Sequence, residues 1–197
     1  MKDTAGKSGK RQIILEAAVK VFSSKGYHNT RMEEIAVAAG IGKGTIYEYF
    51  SSKLELFKAM LESSLQYYFE ALGQETFKLM SLQERIRILI ETHCRFSLEK
   101  KDLTKIIFCD HNMLDDDLLE WAMNMRCEKQ RRTMEFIEEG IIKEEFREDI
   151  DKSLMGLVLS STLAGLGAVI SLNDWNVDPA LVAVQLSDVI MNGIKKN

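Results

Sequence analysis

From Lys43 to Lys53 the chain reads KGTIYEYFSSK, a run of residue types that suits contact with a polyanion. Lys43 can meet a phosphate, the more so where the positive end of a helix dipole lies beside it. Gly44 has no side chain, so backbone there can come close to a DNA surface. Thr45 can touch a base edge or a thymine methyl, and Tyr47 can pack on bases or bond a phosphate. Tyr49 and Lys53 can bond phosphate too, as can Thr30 further upstream. Elsewhere, His93-Cys94 and the pair Cys109 and His111 bring thiols and imidazoles near one another in sequence. Neither has the spacing of a closed zinc site, so no metal and no cofactor is expected. The three cysteines, Cys94, Cys109 and Cys127, make no C-x-x-C pair, which argues against a disulfide framework and fits a reducing cytoplasm.

The elements that would position these residues are legible from caps and spacing. Ile14, Ala17, Ala18, Val21 and Phe22 follow the i, i+3, i+4 rule of an amphipathic helix, which Gly26 is suited to end. Thr30 and Glu33 have capping-box spacing and predict a short helix, MEEIAVAA, closed by Gly40. Ile35 and Ala36 then face the first helix, Ala39 allows close approach, and Ile41 plugs the angle before a third helix that begins near Gly42. This is the build of a helix-turn-helix whose second helix is free to enter a major groove. Ser52 and Glu55 predict the start of a long fourth helix carrying Leu54, Phe57, Leu61, Leu65, Tyr68 and Leu72.

Further on, Ser81 and Glu84 predict a helix with an apolar stripe of Ile86, Leu89, Ile90, His93 and Phe96. A helix is expected from about Asp115 to Gly140, then a charged turn, an uncharged helix over 153–172, and a last helix capped by Asp178-Pro179. In that last helix Val182, Leu186, Val189, Ile190 and Ile194 are expected on the buried side. The stretch 153–173 has nearly the length of a membrane span. Its serines and glycines, the lack of flanking basic clusters and the small-residue ridge Gly156, Ser160, Ala164, Ala168 favour a packing helix, so no membrane partner is expected. The N-terminal MKDTAGKSGKR has no apolar core of a secretory signal.

Composition agrees. With 197 residues, 46% hydrophobic, 28% charged and a single proline, the chain reads as soluble, globular and all-α. Residues 1–60 carry ten Lys/Arg against six Asp/Glu, which leaves sixteen against twenty-four for the rest, a basic head on an acidic body. The division expected is residues 1–52 as DNA-binding domain and 53–197 as ligand-binding and dimerisation domain.

Residues 30–57 closely resemble the DNA-binding domain of the TetR family of bacterial transcriptional repressors. The resemblance is carried by Ile35, Ala36, Ala39, Gly40, Lys43, Gly44, Thr45, Tyr47, Tyr49, Phe50, Ser52, Lys53 and Leu56. Gly42 departs from it, standing where the family often has serine. The resemblance implies a cytoplasmic homodimer joined through the helices near 153–172 and 180–194, binding an inverted-repeat operator as double-stranded DNA and released by a small apolar effector. It also implies that the body holds that effector in a C-terminal helical bundle.

Candidate pocket residues are Phe96, Phe108, Met113, Trp121, Met125, Arg126 and Gln130. Methionines suit varied apolar ligands, and Arg126 with Gln130 would offer a polar pair in a stripe with Leu119, Met123, Met134 and Ile137. The layout from His93 to SLNDWNVD also resembles the fatty-acid-responsive branch of the family, which implies acyl-CoA. Two other readings stay open at this point. One is a thiol enzyme using Cys109 with His111 or His93, and the other a helical adaptor whose hairpin binds protein.

Overall fold

Gly26 decides where the first helix stops. The computed structural model describes residues 3–72, 79–109, 116–173 and 175–194. Helix α1 (Asp3–Asn29) buries Ile14, Ala17, Ala18 and Phe22 and is broken at Gly26, whose φ of 75° and ψ of 168° are open to glycine and strained for other residues. Just past that break the Thr30 hydroxyl donates to the Gly26 carbonyl at 2.7 Å. Thr30 is therefore spent, and the expected capping box moves by one residue. Arg31 is the N-cap of α2 (Met32–Ala38), and its N–H donates to the Glu34 carboxylate at 3.0 Å.

Gly40, with φ 68°, turns the chain out of α2, and the Ile41 N–H closes the corner on the Ala36 carbonyl at 3.0 Å. Helix α3 (Lys43–Tyr49) follows. Ile35, Ala36, Ile46 and Phe50 join Ile14 and Phe22 in one apolar cluster, which holds the three helices as a head. Helix α4 (Lys53–Leu72) starts as expected at Ser52, whose hydroxyl accepts from the Glu55 N–H at 3.0 Å. The return bond goes to the neighbouring residue, since the Glu55 carboxylate accepts from the Ser51 N–H and hydroxyl. Phe57 and Leu61 are buried as predicted, while the side chains of Leu65, Tyr68 and Leu72 lie outside the described residues.

In the body, α5 (Leu82–Glu99) begins with the Ser81–Glu84 capping box in full. Sequence reading did not separate α6 (Lys101–Cys109). Neither glycine nor proline marks the break, which falls on Lys100 at φ −122°, ψ 45°. Helix α7 (Asp116–Ile142) leads into a turn in which Phe146 packs against Gly140. Arg85 ties α5 to α7, donating to both Glu139 oxygens at 2.8 and 2.7 Å with its guanidinium over the Phe136 ring. Helix α8 (Lys152–Leu172) is capped by Asp151, and α9 (Pro179–Ile194) by Asp178, which accepts from the Ala180 N–H at 2.9 Å.

The fold is all-α. Helix α5 packs on α8 and α9, α8 also packs on α6 and α7, and α6 reaches back to α1 of the head. One apolar cluster accordingly runs from Ile14, Phe57 and Met60 into Phe96, Leu103, Ile106 and Leu118, and a second lies wholly in the body around Ile86, Ile137, Phe146 and Ile170.

One expectation needs correction. Val189 is 68% exposed, because the inward face of α9 runs through Val182, Ala183, Leu186 and Ile190. Helix α8 packs inside the chain, with Gly156 of the small-residue ridge against Thr133, Met134 and Ile137. Its outward face carries Leu154, Leu157, Val158, Val169 and Leu172 instead. Helix α8 is long and apolar enough to cross a membrane, yet its inner side packs on α5, α6 and α7.

Candidate DNA-reading face and effector pocket

Helix α3 is anchored from below. Ile46 and Phe50 are buried, and Arg11 lays its guanidinium over the Phe50 ring at 5.2 Å. With those positions inward, Lys43, Gly44 and Tyr47 are exposed and Thr45 is half-buried. Gly42 is the N-cap and supplies no side-chain cap, so the departure noted at this position leaves the helix start open. A Cβ added at Gly44 would meet nothing within 4 Å.

The predicted contact residues separate into two groups. Lys43, Gly44, Thr45 and Tyr47 share the outer side of α3. Tyr49 is half-buried and packs on the head's core. Thr30 is 1% exposed, with its hydroxyl on Gly26, so it builds the head and is not on its surface. Its spacing of four residues from Gly26 is the sequence signal for such a back-bond. Lys53 donates to the carbonyls of Tyr27 at 2.8 Å and His28 at 3.3 Å and lies over the Tyr27 ring, so it closes the end of α1. Those partners are 26 and 25 residues away, and no local pattern announces them.

Sequence reading missed Glu33. Its carboxylate lies 2.6 Å from the Lys43 ammonium. That bond holds the Glu33 carboxyl below its ordinary value and the Lys43 ammonium above its own. An acid in the first turn of a helix is normally explained by the dipole, and this hides the second role.

Of the predicted pocket residues, Phe96 is buried and Trp121 packs half-buried against the same cluster. Met125 is half-buried. Gln130 is exposed, as are Leu119 and Met123 of the expected stripe, while Met134 and Ile137 of that stripe pack in the core of the body. The α8 contact at Gly156 meets α7 further along, at Thr133, Met134 and Ile137. Met113 and the side chains of Phe108 and Arg126 lie outside the described residues.

Beside Phe96, α5 and α6 together bury three polar side chains. His93 bonds the backbone of Leu163, and burial pushes its pKa down to about 4. Ser97 follows one turn later, and Thr104 on α6 donates to the Lys100 carbonyl at 3.0 Å. Because the folded value of His93 lies below its ordinary 6.5, stability is complete above about pH 6.5 and is lost as pH falls towards 4. The loss is about 3 kcal/mol. Urea midpoints between about pH 7.5 and 4.5 should fall in the native protein and fall less in His93→Gln.

Cys94 is buried and its thiol is raised by that burial, the reverse of an activated nucleophile. Cys109 and His111 lie outside the residues whose side chains are described. Among the described residues no three metal-ligating side chains come together.

Comparison with known proteins decides the family. The profile of bacterial regulatory proteins, tetR family, matches residues 14–60, and that of the tetracyclin repressor-like C-terminal domain matches residues 80–194. The chain belongs to the tetR family. It is a transcriptional regulator of the helix-turn-helix type and not an enzyme. The fatty acid metabolism regulator protein of Bacillus subtilis is 24% identical over 190 residues, covering 95% of this chain and 97% of that protein. The structure of the regulator FadR from Bacillus subtilis, solved in complex with stearoyl-CoA, superposes with a TM-score of 0.80 at 22% identity, over 93% of this chain and 98% of that one. The ketosteroid regulator KstR2 of Mycobacterium tuberculosis superposes with a TM-score of 0.75 at 20% identity, over 95% of each chain. These likenesses include the fatty-acid branch to which the body of this chain bore a resemblance.

Proposed function

We propose that this tetR-family member is a cytoplasmic homodimeric repressor that binds an inverted-repeat operator and is released by a long-chain acyl-CoA. The observation that carries the ligand response is the apolar cluster shared by head and body. Helix α6 packs on α1 and on α8, so a change in the body reaches the head through side chains already in contact. Helix α4 is a second connection, with Phe57 and Met60 in the same cluster. An effector that binds one arrangement better shifts the population of heads spaced for DNA. The acyl-CoA class is supported by the full-length relative named for fatty acid metabolism and by the fold likeness to a regulator holding stearoyl-CoA. Phe96, Trp121 and Met125 are the pocket residues we retain, with Phe108, Met113 and Arg126 assigned from sequence.

Lys43, Gly44, Thr45 and Tyr47 are assigned to DNA on their outward position, and Tyr49 to a phosphate at the edge of the same face. The functional division is kept at 52/53. The dimer is assigned to α8 and α9, supported by the exposed aliphatic side chains Leu154, Leu157, Val158 and Val169 on one and Leu181, Val184 and Val189 on the other. A contiguous apolar surface of this kind on a soluble chain marks an association site.

The test is fluorescence anisotropy on the DNA upstream of the protein's own gene. Stearoyl-CoA should release the protein, while stearate and CoA alone should not. Release by none of them, with DNA binding intact, overturns the effector class and leaves the family standing.

A further inference from the structure

Lys43 is the first residue of α3 and its side chain is exposed. In the free protein that ammonium is not open to solvent alone. The Glu33 carboxylate, from the first turn of α2, lies 2.6 Å away, and the two side chains are 67% and 44% exposed. A lysine ammonium has three donors and can hold two anions at once. A phosphate taken up by Lys43 while Glu33 stays in place would then sit about 5 Å or less from a carboxylate, since each anion lies about 2.7–2.9 Å from the same nitrogen. Both carry negative charge, so the phosphate contact is opposed unless the carboxylate swings away.

We propose that Glu33 is a brake on phosphate binding: its carboxylate occupies the Lys43 ammonium in the free head and must be displaced by DNA. The inference rests on the assignment of α3 to DNA. The brake acts on phosphates and is therefore blind to base sequence. It lowers affinity for arbitrary duplex, where one ammonium is a larger share of the binding than at an operator. Exposure of both side chains keeps the exchange easy, because a surface ion pair is weak and readily traded.

The test uses the full chain and a fluorescein-labelled mixed-sequence duplex, titrated over a series of NaCl concentrations. Glu33→Gln should bind about five- to tenfold more tightly near 0.1 M salt, with a log–log salt slope steeper by about one. In a Lys43→Gln background the same change should alter affinity by no more than about twofold, since the ammonium it frees is gone. Glu33→Asp, which withdraws the carboxylate by one methylene and keeps the first-turn charge, should move the same way by less. Equal or weaker binding by Glu33→Gln overturns the brake while leaving DNA binding in place. So does a gain that persists undiminished without Lys43. Failure of the unaltered protein to bind the duplex at low salt removes both the DNA assignment and the brake.

Discussion

Gly140→Val is expected to lower the unfolding free energy by about 3 kcal/mol or more, at the upper end of what overpacking costs. A Cβ at position 140 would lie 2.1 Å from Cδ2 of Phe146, 2.5 Å from Cε2 and 2.7 Å from Cγ. The ring has no room to yield. Phe146 is buried, lies edge-on to Phe136 with centroids 5.7 Å apart, and its own N–H donates to the Gly140 carbonyl at 3.0 Å. The same corner sets the start of α5, because the Glu145 carboxylate accepts from the Leu82 N–H at 2.9 Å. Urea unfolding measures the effect. Phe146→Ala alone should cost about 3–5 kcal/mol through the cavity it leaves. The double variant should cost clearly less than the sum, since the alanine removes the ring that the new methyls strike. A Gly140→Val protein with an unchanged midpoint would show that the turn can open without loss.

Gly44→Leu is expected to separate folding from DNA binding. Position 44 lies inside α3 and faces open space, so leucine there strains nothing and gains up to about 1 kcal/mol of helix propensity. On the DNA side it interposes a branched side chain between Lys43 and Thr45, where backbone must come close. Affinity for the operator should fall by about tenfold or more, equivalent to at least about 1.4 kcal/mol. The thermal midpoint should hold or rise. A variant that binds DNA as well as the native protein would move the contact face off this side of α3.

Local punctuation carried most of the fold into the sequence. Gly26, Gly40, the Ser81–Glu84 box and Asp178-Pro179 act on residues within a turn of themselves, and each sits where its chemistry demanded. The misreadings share a different cause. Thr30 looked like a cap because serine or threonine three residues before glutamate usually is one, but its hydroxyl bonds back to the Gly26 carbonyl. Lys53, read as a phosphate ligand from its place at a helix start, also donates to carbonyls at the end of α1, which no local pattern announces. The break at Lys100 gave no signal at all, because helix α6 resumes with apolar spacing that continues α5. Glu33 was visible and misassigned, since its contact with Lys43 crosses the turn between two helices. In the body, periodicity located α7 but not which side its neighbours would cover, and Gln130 fell on the open one.

The cluster that joins Ile14, Phe57 and Met60 to Phe96, Leu103 and Ile106 also bears on how such a protein can be recombined. A chimaera cut at residue 53 would part Ile14, Phe22 and Ile46 from Phe57, Met60, Phe96, Leu103 and Ile106 and ask a foreign body to supply matching shapes. The inner face of α6 is thus a fitting shared by two modules, and a head moved to a new scaffold needs that face moved with it. Head and body are in this way matched to one another, although distinct parts of the chain form them.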